Sequence, residues 1–138
     1  MTSLRHAASL ALLLSCTGAA CAADLTIRVA DVKSAQGSIM VAVYSADGFL
    51  KRPLKTAQVA AVAGQVQVLI QDLPAGDYGF ALFHDANGNG KLDSNAMGIP
   101  LEDHAFSNNA RGNMGPPSFA QAKFGLPAAG ATAVASLR

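Results

Sequence analysis

Leu25-Thr26-Ile27-Arg28-Val29 alternates apolar and polar side chains, the period-2 pattern of a strand with one buried face. Ile39 to Tyr44 is instead a continuous apolar run, preceded by Gly37-Ser38, and reads as a further strand. Ala57–Val62 and Val66–Ile70 flank Ala63-Gly64-Gln65 as the arms of a hairpin, with Val66, Val68 and Ile70 on one face. After the turn Leu73-Pro74-Ala75-Gly76, Tyr78 to His84 places Tyr78, Phe80, Leu82 and His84 on a shared face. Gln121–Leu126 alternates once more, and Ala131–Leu137 is a weaker last strand. Phe49 to Lys55 is an irregular excursion, and Ser118 with Gln121 has the spacing of a capping box on a single helical turn.

About seven short strands joined by Gly/Pro turns, with no long helical period, predict an all-β domain. The expected architecture is a single Greek-key β-sandwich, immunoglobulin-like or prealbumin-like, carrying one long Asn/Gly/Pro-rich loop from Asn87 to Pro117. Ordered loops of that length are uncommon unless they bind something or carry function.

The first residues follow a different logic. Arg5 and His6 precede the apolar run Ala7–Leu14, and Ala20-Cys21-Ala22 offers small residues where a signal peptidase reads. Residues 1–22 are expected to be a cleaved signal peptide and residues 23–138 the β-sandwich domain, periplasmic or secreted. The apolar run is too short for a permanent membrane helix, so the mature chain is expected to have none. Lipidation at Cys16 or Cys21 is the competing route. Both cysteines of the chain lie in this segment, so the domain is expected to fold without disulfides or thiolate chemistry.

Charge narrows the partners little. Loss of Arg5 leaves nine basic against nine acidic residues, and no basic stripe with interleaved aromatics suggests nucleic acid. The location of the acids says more, because Asp85, Asp93, Glu102 and Asp103 crowd one segment.

That segment, "DANGNGKLD", follows the first nine positions of a helix–loop–helix calcium loop: Asp85, Asn87, Asn89, Gly90 at the sharp turn, the Lys91 carbonyl, Leu92 toward the core, and Asp93. A hard cation takes six to eight oxygens, which alternate side chains of a curled loop supply from one side. Position 12, which needs a bidentate carboxylate, is Ala96. Glu102, or failing it Asp103, is therefore expected to complete a calcium site of Asp85, Asn87, Asn89, Lys91, Asp93 and Glu102. "NGNG" is equally a strong tight-turn signal that needs no ion.

Enzyme chemistry finds less support. His84, Asp85, Glu102 and His104 form the set for a metal-dependent hydrolase, but no H-x-x-x-H pair accompanies them. Ser107 and Ser118 lie outside any G-x-S-x-G elbow. The Asn-rich stretch Phe106–Phe119 could bind sugar hydroxyls, or could be a surface loop anchored by its two terminal phenylalanines. The leading expectation is a non-catalytic binding or structural module of the envelope, its partner an envelope protein or glycan.

"LPAGDYGFALFHDANGNGKLD", "GIPLED" and "FSNNARGNMGPPSFAQAKF" resemble the uncharacterised bacterial family known as domain of unknown function 2141. The resemblance spans Leu25 to Leu137 and implies an exported protein with no activity to carry over. Ala105 stands where that pattern leads one to expect glycine. The Leu-Pro-x-Gly-x-Tyr turn is also similar to that of transthyretin-like and collagen-adhesin B-type modules, which implies a sandwich at the level of fold only.

Overall fold

The computed structural model describes residues 21–138. The signal-peptide assignment and the Cys16 alternative fall on residues outside that range, apart from Cys21 and Ala22. Among the described residues no helix is long and apolar enough to cross a membrane.

Two sheets face each other. The first has β1 (Ala22–Val32) at its centre, antiparallel to β4 (Gly64–Pro74) on one side and parallel to β8 (Ala131–Ser136) on the other. The second runs β3 (Lys55–Ala60), β2 (Ser38–Tyr44), β5 (Gly76–Asp85), β6 (His104–Phe106), all antiparallel, and β7 (Phe124–Leu126) pairs with the start of β5. The alternation does what the pattern requires. Leu25, Ile27 and Val29 from β1 and Val68 and Ile70 from β4 meet Ile39, Val41 and Val43 from β2 and Tyr78, Phe80 and Leu82 from β5, all at 6% exposure or less. Full burial of each such side chain contributes roughly 1.5–3 kcal/mol.

Three expectations are corrected. Ala57–Val62 and Val66–Ile70 are not two arms of a hairpin: β3 pairs with β2 and β4 with β1, so the chain crosses between sheets at Gly64, whose φ is 94°. Alternation tells which side of a strand is buried but not which sheet it joins. Gln121–Leu126 is not one strand. Ser118 caps the single-turn helix α1 (Phe119–Ala122), accepting from Gln121 N–H while Gln121 Oε1 accepts from Ser118 N–H at 2.8 Å, and only Phe124–Leu126 extends as β7. Finally, Asn87–Pro117 is not a single loop. It contains β6, an eighth strand, whose central Ala105 is buried against the core, and a short 3-10 turn at Ser107–Asn109.

Two bulges keep the register. Asp72, at φ 59°, is the extra residue that lets both Ile70 and Leu73 face inward, and Asp31, at φ 61°, does the same for Val32. At the far edge the two sheets are stitched. Leu137 N–H donates to Ala30 carbonyl at 3.0 Å, and the next residue, Arg138, exchanges backbone hydrogen bonds with His104 of β6. Tyr78 closes the β4–β5 corner by donating its hydroxyl to the Pro74 carbonyl at 2.6 Å, and burial pushes the phenol above its ordinary pKa.

Candidate functional site

Strand β5 delivers Asp85, 1% exposed, to the start of the acidic loop. Its carboxylate accepts the N–H groups of Asn89 at 3.1 Å and Gly90 at 2.8 Å. Asn87 Oδ1 accepts from Asn89 N–H and Asn89 Oδ1 from Lys91 N–H, so each Asx side chain folds the backbone two residues ahead of it. Gly88 and Gly90, at φ 72° and 75°, take the left-handed positions this coil requires.

The amide nitrogens turn to Asp93. Asn87 Nδ2 donates to Asp93 Oδ2 at 2.6 Å, and Asn89 Nδ2 reaches Oδ1 at 2.8 Å and Oδ2 at 3.0 Å. The Asn89 amide first, then that of Asn87, holds the Asp93 carboxyl below its ordinary pKa, with Lys91 adding to the effect against a smaller burial cost. Beyond Asp93, a tight hairpin bridged at Ser94 and Pro100 turns on Asn95, whose Oδ1 accepts from Met97 and Ile99 N–H. The chain then returns with Glu102 beside the loop.

Glu102 Oε2 accepts the Asp93 N–H at 3.0 Å. Glu102 Oε1 is buried and has no hydrogen-bond partner among the described residues. Asp103 points elsewhere, into an ion pair with Lys33 at 2.7 Å. The structure thus brings Asp85, Asn87, Asn89, Asp93 and Glu102 into one connected network, with Lys91 joined through its N–H. Its carboxylates are linked through amides and backbone N–H groups; among the described residues no three acidic, histidine or cysteine side chains converge as a metal-holding cluster. Leu92 is a correction: it is 39% exposed and does not pin the loop into the core.

The hydrolase set is not assembled. His84 faces inward at 4% exposure, and its Nε2 bonds to the Gln36 carbonyl at 2.7 Å. His104 lies on the other face of the sheet, with Nδ1 on the Glu102 carbonyl at 3.2 Å. Ser107 is equally committed. Its buried hydroxyl accepts from Phe80 N–H at 2.9 Å and donates to Ala122 carbonyl at 2.5 Å, tying α1 to β5. The Asn-rich stretch is held by more than its phenylalanines. Asn108 Nδ2 donates to Lys123 carbonyl at 2.7 Å and Asn109 Oδ1 accepts from Ser136 N–H at 2.9 Å, so two of the amides in the stretch offered for sugar binding are tied into the fold.

A family model described as "Uncharacterized protein conserved in bacteria (DUF2141)" matches residues 27–135. No curated protein and no solved structure matches the chain.

Proposed function

The chain belongs to the uncharacterised bacterial family DUF2141, and we propose that it is an exported, non-catalytic β-sandwich module of the cell envelope whose Asp85–Asp93 loop takes up calcium. The observation that carries the cation reading is the buried, partnerless Oε1 of Glu102, on a carboxylate whose other oxygen already meets the loop. A buried carboxylate oxygen without a donor is costly, by roughly 1–3 kcal/mol or more. A hard divalent cation offsets that cost and uses the neighbouring oxygens of Asp85, Asn87, Asn89, Asp93 and the Lys91 carbonyl. On binding, the two amides exchange their N–H donation to Asp93 for oxygen donation to the ion. Calcium suits such a set better than magnesium, because its shell is larger and tolerates irregular geometry.

Export rests on the arrangement of Arg5, Ala7–Leu14 and Ala20-Cys21-Ala22, and places the loop where free calcium is abundant. Against catalysis stand the committed hydrogen bonds of Ser107 and His84. The ion would tie the end of β5 to the return strand at Glu102 and so fix the segment between them for an envelope protein or glycan.

Melting of the mature protein tests the cation. With a dissociation constant on the order of 10⁻⁴–10⁻³ M, ~10 mM calcium stabilises by about 1.4–2.7 kcal/mol, a rise of several degrees in Tm. Glu102→Gln is expected to remove the response while remaining folded. Identical Tm in calcium and chelator would overturn the reading. Export is tested separately by N-terminal sequencing of protein recovered from the periplasm or medium.

A further inference from the structure

The outer face of the five-stranded sheet is apolar where a solvated face would be polar. Ile39, Val41 and Val43 of β2 point into the core, and the alternate residues Met40, Ala42 and Tyr44 point out. Together with Phe83 of β5 they floor a groove of about 1150 Å³, roofed on one side by residues of the 86–117 segment. That volume lies just above the range of small-molecule sites, roughly 300–1,000 Å³. The walls bring Met97 at 82%, Ile99 at 54% and Met114 at 103% exposure, apolar side chains left in solvent beside the groove. Leu50 and Met114 also line it, both with left-handed backbone, at φ 59° and 55°, a conformation that bulky residues rarely hold without a local reason.

Arg111 and Arg138 are also among the residues that line the groove. Among the described residues the ion pairs are Lys33–Asp103 and Lys123–Asp77, so neither arginine has an acidic partner. Arg138 is anchored by donating to the Ala110 carbonyl at 2.9 Å, and its pKa is lowered by burial and by the repulsion of Arg111. Two like charges beside an apolar trough complement one kind of ligand: an anion attached to a hydrocarbon.

We propose that this groove binds a long-chain fatty-acid anion, its chain along Met40, Ala42 and Phe83 and its carboxylate at Arg111 and Arg138. The carboxylate supplies the partner that both guanidiniums lack, and the chain covers the exposed methionines, whose flexible thioethers adapt to it. The groove takes part of its wall from Leu92 and from the segment between Asp93 and Glu102, but the contacts proposed for the chain and the carboxylate use none of the cation-binding side chains.

The test is titration of the mature protein, in calcium and again in chelator, with cis-parinaric acid, a fluorescent fatty acid, followed by displacement with palmitate and with hexadecanol. The protein has no tryptophan to interfere. Palmitate is expected to displace the probe at least roughly tenfold more effectively than the uncharged alcohol, the worth of one charge-assisted contact. Arg111→Gln, at an exposed position, is expected to erase that preference, and Met97→Glu to weaken both ligands. Circular dichroism checks that each variant is folded. Equal displacement by acid and alcohol, or no probe fluorescence with folded protein, would overturn the proposal. So would a concentration-dependent dimer abolished by Met97→Glu without probe binding, which would make the trough a contact between two copies.

Discussion

The segment between β5 and α1 divides into two asparagine-rich halves that hold their shape by opposite means. From Asp85 to Asp93 the fixing hydrogen bonds are local apart from the one that Glu102 accepts from Asp93 N–H: side chains fold the backbone two to five residues away, and the amides converge on one carboxylate. From Ser107 to Asn109 the side chains reach across the fold instead, to β5, α1, the Lys123 carbonyl and β8, over separations of 15 to 27 residues. Both halves look alike as sequence. One is a coil folded mostly on itself, with oxygens to offer; the other is a set of rivets to distant parts of the fold.

Substitutions separate the two cases. The largest loss is expected for Ser107→Ala, which leaves the Phe80 N–H and Ala122 carbonyl buried and unpaired, about 2–3 kcal/mol by denaturant melting. Asn108→Ala should cost about 1–2 kcal/mol, since it removes the bond to Lys123 and puts a Cβ residue less tolerant than Asn at φ 60°. Asn108→Gly should recover the backbone share of that loss and not the hydrogen-bond share. Gly90→Ala in the first half should cost about 1 kcal/mol: its φ is 75°, yet no atom lies within 4 Å of an added Cβ, so the penalty is conformational alone.

The smallest effect is that of pH on Asp93. Its carboxyl titrates below the ordinary 3.8 in the fold, so the stability it lends is fully present above that value and fades as pH falls through the lowered one. In a melting series between about pH 5 and pH 2 the native chain should exceed Asp93→Asn at the upper end and lose that advantage toward the acid end. If Asn108→Ala proved harmless while Gly90→Ala unfolded the protein, the contrast between the halves would be reversed.

Legibility follows the same line. The strand faces, the capping box at Ser118 and Gln121 and the convergence of Glu102, rather than Asp103, on the loop could all be read or anticipated from neighbouring residues. The sheet to which β4 belongs, the strand at His104–Phe106 and the tasks of Ser107 to Asn109 could not, because each is decided by a partner far along the chain. Arg111 and Arg138 were invisible as a pair for that reason. The groove did leave one unread signal: the apolar run Ile39–Tyr44 is unbroken by the polar residues a solvated outer face would carry.

The parallel pairing of β1 with β8, Leu25 opposite Ala131, bears on how the molecule comes into being. The first core strand lies between β4 and β8, so its sheet is complete only when the last strand arrives. Long loop closure precedes that reward, and such topologies fold slowly, in roughly milliseconds to seconds. A nascent chain of this kind stays open through most of its synthesis. Stopped-flow refolding should be correspondingly slow, with the β1–β8 pairing among the last contacts to form.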